Sequence, residues 1–241
     1  MPVYFVDDDN ISDDIINING DNFHHLAHVL RCSVGDEVFI SNNKERFRTK
    51  ITSVLKKHIE AKIIEREKIQ SYQKITLIQC LPKKDKMDFI VRHCVELGLI
   101  NIIPVISERS ISRINDDRSQ KLLFRFQKIA KEQAQRAGIE VLPIVSEIQK
   151  YDDAVSNLKG FDLLLIPWEE EKSKKIKDIL NNCTNIKKIA IIIGPEGGLT
   201  GEEVKCAEKI RAARGPINLP KGYRPRGANS FSQGWGEAGG E

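Results

Sequence analysis

Two short apolar runs constrain this chain more than any other feature. Leu163-Leu164-Leu165-Ile166 and Ile189-Ala190-Ile191-Ile192-Ile193 contain no polar residue at alternate positions. Successive side chains of a strand point to opposite faces, so a strand with one wet face alternates apolar with polar. An unbroken apolar strand needs cover on both faces, and a parallel sheet with helices packed on each side supplies it. No apolar run approaches the roughly 20 residues that cross a bilayer. The acidic start, Met1 to Asp9, has no basic region of the kind that opens a secretory signal. The expectation is a cytoplasmic protein with an α/β core.

The first 70 residues follow a different pattern. Val3–Val6, Glu37–Ser41, Arg46–Val54 and His58–Arg66 read as strands. Phe47, Thr49, Ile51 and Ser53 alternate with Arg48, Lys50 and Thr52, which suits a half-exposed strand. Asp21 can cap a helix running to about Arg31, with Phe23, Leu26, Ala27 and Leu30 on one face. Together these predict a small β-barrel over residues 1–70. Residues 65–73 are polar and read as a linker. From residue 74 to 241 strands alternate with helices. Strands are expected at Ile75–Cys80, Asn101–Ile106, Ile139–Val145, Phe161–Pro167 and Lys187–Gly194. Helices are expected at Lys83–Leu97, Asp116–Ala137 and Lys172–Asn182.

The second apolar run ends in Gly194-Pro195-Glu196-Gly197-Gly198-Leu199-Thr200. Thr200 stands three residues before Glu203, the spacing of a capping box that starts a helix. Glycines here let a ligand lie against the main chain. A loop at the carboxyl end of a parallel strand is where α/β proteins bind ligands. A structural turn between strand and helix explains the same residues. The spacing is neither that of a P-loop nor that of a Rossmann fingerprint, so a phosphate cradle is disfavoured.

The net charge of +4 is uneven. Residues 1–72 carry 10 lysines and arginines against 12 acids, and residues 73–241 carry 28 against 22. The basic excess suits a polyanion such as RNA, or it is a solvated surface. The five cysteines are widely spaced, with neither a disulfide framework nor a zinc pattern. His24 and His28 lie one helical turn apart, but no third ligand accompanies them, and no metal is expected.

Several ordered motifs resemble one family. Ile193-Gly194-Pro195-Glu196-Gly197-Gly198-Leu199-Thr200 is similar to the cofactor loop of the RsmE family of 16S ribosomal RNA (uracil-N3)-methyltransferases, in the SPOUT superfamily. His24-His25-Leu26-Ala27-His28-Val29-Leu30-Arg31 resembles that family's N-terminal helix motif. Lys83 to Asp88, Glu96-Leu97-Gly98, Ile103-Pro104 and Ser107-Glu108-Arg109-Ser110 match in the same order, and the likeness runs from about residue 1 to 219. It implies a PUA-like RNA-binding barrel followed by an α/β domain with a trefoil knot, a rare exception to unknotted topology. It also implies a homodimer, S-adenosylmethionine as cofactor, and a uridine of 16S rRNA in the small ribosomal subunit as substrate.

The resemblance marks Trp168, Ile193, Gly194, Pro195, Glu196, Gly197, Gly198 and Leu219 for the cofactor, and His24, His25 and Arg31 for RNA. Arg31 reads equally as a helix C-terminal cation. Arg109, Gln133 and Arg136 are the catalytic candidates. Methylating uracil N3 removes a proton and leaves charge on the ring oxygens, which a fixed cation stabilises. A phosphate contact or salt bridge explains Arg109 as well. Gln133 and Arg136 share a helix face, or lie on a solvated one. Glu196 could touch the ligand or fix the loop by accepting backbone N–H bonds.

Two departures stand out. The N-terminus lacks the family's arginine pair. After Leu219 the family carries an arginine-rich motif and an apolar helix, whereas this chain reads Pro220-Lys221-Gly222-Tyr223-Arg224-Pro225 and ends in Gly239-Gly240-Glu241. The expectation is that a frameshift near residue 220 replaced that segment. Impaired donor binding, or a non-catalytic RNA-binding protein, would follow.

Overall fold

The computed structural model describes residues 1–70, 74–110, 115–169, 176–181 and 186–212. Leu219, the segment after it, the end of the expected 65–73 linker and the start of the expected 172–182 helix lie outside the described residues.

In chain order the strands are β1 (Val3–Phe5), β2 (Ile11–Ser12), β3 (Ile15–Ile18), β4 (Glu37–Ser41), β5 (Glu45–Val54), β6 (Ile59–Lys68), β7 (Lys74–Cys80), β8 (Asn101–Ile106), β9 (Ile144–Val145), β10 (Gln149–Lys150), β11 (Leu163–Leu165) and β12 (Lys188–Ile193). The α-helices are α1 (Gly20–His24), α2 (Lys86–Glu96), α3 (Asp116–Ala137), α4 (Tyr151–Ser156), α5 (Ile176–Asn181) and α6 (Gly201–Ala212). The chain divides into two compact units. One holds Met1–Lys74, Lys84–Ile102 and Ile114–Glu147; the other holds Ile75–Lys83, Ile103–Arg113 and Ile148–Glu241.

In the first unit a six-stranded sheet runs β1-β4-β5-β6-β3-β2. β1 and β4 are parallel and the remaining pairs antiparallel. Among the described residues the path does not close, so a curled half-barrel sheet stands where a small β-barrel was expected. β2, at one end, is only two residues long and pairs with β3 alone. The expected alternation on β5 holds: Phe47, Thr49 and Ile51 are buried, while Lys50 and Thr52 are exposed.

The helix expected from Asp21 to Arg31 differs in detail. Asn19 takes the N-cap position, and α1 widens into a π-turn over His25–Val29. The wider turn rotates everything after it. Leu26 stays fully buried, but Leu30 is 50% exposed. Arg31 ends the turn in the left-handed region, at φ 56°, and Cys32 N–H donates to Leu26 O at 2.9 Å.

α3 matches the expected range. Asn115 caps it by accepting from Arg118 N–H at 3.1 Å, and Gly138 closes it at φ 71°. The segment after it forms strand only at β9, where a strand from Ile139 was expected. Its polar groups are met by side chains instead: Leu142 N–H donates to Asn43 Oδ1, and Gln127 bridges Pro143 O and Val145 N–H. With those groups satisfied, no ladder is needed. α2 starts at Lys86, three residues after the expected Lys83, because Lys84 sits at φ 56°, outside helical space.

In the second unit the sheet order is β10-β8-β7-β12-β11, and the described registers, Leu163↔Ile189 and Gln149↔Val105 among them, are parallel. Both faces are covered, as the apolar runs require. Leu164, Ile166, Ala190 and Ile192 pack with Tyr151, Val155, Val204 and Ala207 from α4 and α6. Leu163, Leu165 and Ile189 pack with Ile179 of α5. Fully burying each such leucine or isoleucine contributes about 1.5–3 kcal/mol. No helix among the described residues is long and apolar enough to cross a membrane, and none of their His, Cys, Asp and Glu side chains cluster to hold a metal.

Candidate active site at the carboxyl ends of the parallel strands

The glycine loop after β12 starts α6 as its sequence requires. Thr200 N–H donates to Glu203 Oε2 at 2.9 Å, and Glu203 N–H donates to Thr200 Oγ1 at 3.3 Å. This is the reciprocal capping box. Glu203 does more, since its Oε1 accepts from Glu108 N–H at 2.9 Å. One carboxylate, only 8% exposed, thereby ties the turn after β12 to the turn after β8. Tyr151 OH, on α4, donates to Glu203 O at 3.1 Å.

The turn after β8 is itself closed. Ser110 N–H donates to Ser107 O, Ser107 N–H donates to Ser110 Oγ, and the two hydroxyls lie 2.8 Å apart. Arg109, exposed within this turn, donates from Nη1 to Gly197 O at 2.7 Å. The side chain expected to act on substrate is therefore joined to the glycine loop. Gly197 is itself exposed, and a Cβ there would meet the Arg109 stem at 3.5 Å.

Glu196 fixes the loop, one of its two expected readings. Its carboxylate accepts Lys83 N–H at 3.2 and 3.1 Å, joining the end of β7 to the turn after β12. Gly198 lies at φ 72°, and a Cβ there would stand 2.7 Å from Glu169 Oε1. The left-handed conformation favours glycine, whereas the Glu169 carboxylate is the movable end of a long side chain. A Cβ on Gly194 would stand 3.0 Å from Leu199 N. Trp168, next to Glu169, packs against the core cluster that contains Leu199, and its buried Nε1 has no acceptor among the described residues. Pro195 is buried and Ile193 half-buried.

Below the loop Cys80, Ser107 and Tyr151 are buried. Burial pushes the Cys80 thiol up to about 12, with the Ser107 hydrogen bond partly offsetting it and the nearby Glu203 charge adding to it. Burial also raises the Tyr151 phenol, reinforced by the charges around it. Neither group ionises near neutral pH, so this layer serves packing and hydrogen bonding.

The other expected residues lie in the first unit. Gln133 is buried on α3 and donates from Nε2 to Glu96 Oε1 at 3.1 Å, linking α3 to α2. Arg136 is exposed and lines a cavity together with His24 and His25. Arg31 is exposed at the left-handed end of the π-turn. Glu203 beyond its cap and Tyr151 join the residues that shape the site, in addition to those expected. The second was legible: Tyr151, Ala154, Val155 and Leu158 fall at helical spacing and are all buried.

Two family profiles match the chain. The RNA methyltransferase domain covers residues 69–219, and the RNA methyltransferase PUA domain covers residues 18–64. Ribosomal RNA small subunit methyltransferase E of Bacillus subtilis (strain 168) is 29% identical over 197 residues, spanning 78% of this chain and 77% of that protein. The protein of the same name from Buchnera aphidicola subsp. Schizaphis graminum is 30% identical over 204 residues, spanning 79% and 77%. Among solved structures, a ribosomal RNA small subunit methyltransferase E from Neisseria gonorrhoeae bound to S-adenosyl methionine is similar at a TM-score of 0.75 and 27% identity, covering 93% of this chain and 90% of that one. The chain belongs to the RNA methyltransferase family, within the group of ribosomal RNA small subunit methyltransferases E.

Proposed function

We propose that this protein transfers a methyl group from S-adenosylmethionine to N3 of a uridine in 16S rRNA. The observation that carries this reading is the Arg109–Gly197 hydrogen bond, which joins a cation suited to the uracil oxygens to a glycine loop suited to the donor. The residues present fit such a cofactor. The loop exposes main chain at Gly197, Gly198 holds a left-handed conformation that favours glycine, and Trp168 Nε1 is a buried donor without an acceptor among the described residues. Ile193 to Gly198 and Trp168 would hold the adenosine and methionine parts; Leu219 is proposed for the same pocket.

The cofactor supplies the electrophilic methyl carbon, and the protein's task is to hold the two reactants in line. Uracil N3 lies on the pairing edge, so the base must be unpaired before it reacts. As N3 loses its proton, negative charge spreads to the ring oxygens. Arg109 stabilises it with the N–H groups it does not give to Gly197, in a site whose turns are already fixed. Gln133, tied to Glu96, supports α3. His24, His25 and Arg31 contact RNA. The finer architecture belongs to the same reading: an N-terminal RNA-binding domain over 1–70, a knotted methyltransferase domain over 74–241, and a cytoplasmic homodimer that uses no metal.

Methyl transfer to undermethylated small subunits, with the modified base mapped, tests the proposal. Arg109→Ala should lower transfer by about 10²–10³-fold while donor affinity by calorimetry is retained. Gly198→Ala should weaken donor binding. Donor binding that is indifferent to Gly198→Ala, or a methyl group on another base, refutes it. The sequence of 220–241 favours one second reading, a non-catalytic RNA-binding protein. Full-length protein that binds RNA but no donor would establish that reading instead.

A further inference from the structure

A cavity of about 460 Å³ in the first unit has a built floor and charged walls. Asn22, 8% exposed, donates from Nδ2 to Phe5 O at 2.7 Å and accepts from Gln135 Nε2 at 3.0 Å. Tyr4 OH meets His25 Nδ1 at 3.0 Å. These bonds fix α3 and α1 around the cavity. Its volume falls in the range of pockets that take small ligands.

The cavity lining carries Lys128, Lys131 and Arg136 against the carboxylates of Asp21 and Glu132, one cation in excess. Lys128, Lys131, Gln135 and the adjoining Glu132 and Arg136 follow one another at helical spacing and share the lining face. Lys128 is matched by Glu132 at 4.0 Å. Lys131 and Arg136 make no ion pair or hydrogen bond among the described residues. An anion held by these two donors would answer the one positive charge in excess. Arginine offers a planar fork suited to phosphate oxygens, and lysine a point charge. The exposed His24 ring, 5.1 Å from the ring of His28, adds a flat surface on which an unpaired base can stack.

We infer that this cavity is a subsite for the sugar–phosphate backbone of single-stranded RNA, with Lys131 and Arg136 holding phosphate and His24 beside a base. The inference rests on the proposed function for its choice of polyanion. It moves Arg136 from the chemistry of methyl transfer to the grip on RNA, and it makes α3 part of the RNA-binding surface.

The test is binding of a fluorescent single-stranded fragment of small-subunit rRNA to the full chain, titrated across salt. Each phosphate that the protein no longer neutralises should make the slope of log K against log salt shallower by about 0.7. The double variant K131Q/R136Q should therefore shift the slope by about 1.4, whereas the charge-preserving K131R/R136K should keep it. Lys159→Gln, which removes a cation from an exposed site of the second unit, supplies the control. A slope in K131Q/R136Q no different from wild type or from the Lys159 control overturns the inference. Poly-glutamate displacing the RNA more readily than poly-uridylate also overturns it, in favour of an acidic protein partner. Donor binding measured on the same samples separates the two proposals. Its absence in wild type counts against the methyltransferase reading, while the salt slopes decide this subsite.

Discussion

β5 in the first unit and β11 in the second bury their side chains by different rules. On β5 every second residue is inside, and the outer face carries ion pairs: Arg48 lies 3.0 Å from Glu65 and 3.5 Å from Glu37. These groups are about half exposed, where such a pair is worth about 0–1 kcal/mol. On β11 Leu163, Leu164 and Leu165 are all at most 6% exposed. With no free face, charged groups in the second unit are pushed to the strand ends, while β7 buries only the neutral polar Thr76 and Gln79. At those ends Glu196 and Glu203 tie turns together, and the candidate site is built from those turns. A sheet with a wet face distributes charge along its strands; a sheet covered on both faces moves it to the strand ends, with Glu196 and Glu203 past the carboxyl ends and Asp162 and Lys188 at the amino ends.

The largest expected effects test that contrast directly. Leu163→Ala and Leu164→Ala, neighbours on one strand, should each cost about 2–5 kcal/mol in chemical unfolding, since each empties a filled site on its own face of the sheet. On β5 the neighbours should differ: Phe47→Ala should cost about 3–5 kcal/mol and Arg48→Ala less than about 1. A silent Leu164→Ala would mean that the face toward α4 and α6 is not tightly packed, and the comparison would break.

Glu203→Gln sharpens it at the strand ends. The carboxylate accepts from Thr200 N–H through one oxygen and from Glu108 N–H through the other. An amide keeps one acceptor and places an NH₂ group against the remaining N–H. A part-buried donor left unmet costs about 1–3 kcal/mol. The turn carrying Arg109 should also loosen, so methyl transfer should fall more than donor affinity does. Equal loss of both would assign Glu203 to the glycine loop alone. Melting curves, calorimetry and transfer rates on one preparation separate these outcomes.

The parts legible in the sequence were those set by local rules. The apolar runs gave the covered sheet, the range Asp116–Ala137 stands as expected for α3, and Thr200 with Glu203 gave the capping box. What the sequence hid depended on partners distant along the chain. Glu203 reaches Glu108, 95 residues away, and nothing in its own neighbourhood announces this. The 139–145 segment has strand-like residues, yet side chains of Gln127 and Asn43 take up its backbone groups. The π-turn over His25–Val29 changes which side chains face inward without changing composition. Of the site, the glycine loop and Arg109 were legible as motifs; the hydrogen bonds that join them were not.

The smallest expected effect compares two exposed aspartates. Asp162 accepts Lys187 and Lys188 N–H at 2.9 and 2.8 Å, and these backbone bonds, Lys187's first, hold its carboxyl below the usual range. Asp8 is held low chiefly by the Lys44 ammonium at 2.5 Å and then by Asn42. For both the folded pKa lies below the unfolded one, so each contributes stability that is fully present above the unfolded value. That contribution is lost as pH falls through the folded value. Acid should therefore destabilise the protein below the ordinary carboxylate range, and Asp162→Asn should flatten the dependence there. Salt distinguishes the causes. At about 1 M, where the screening length is about 3 Å, a flexible surface ammonium loses much of its hold, whereas fixed backbone donors keep theirs. Carboxyl titration by NMR should show Asp8 rising toward its ordinary value in high salt and Asp162 staying low. If both rise together, the Asp162 carboxylate is held by the lysine side-chain charges, and the anchoring of β12 by backbone bonds is wrong.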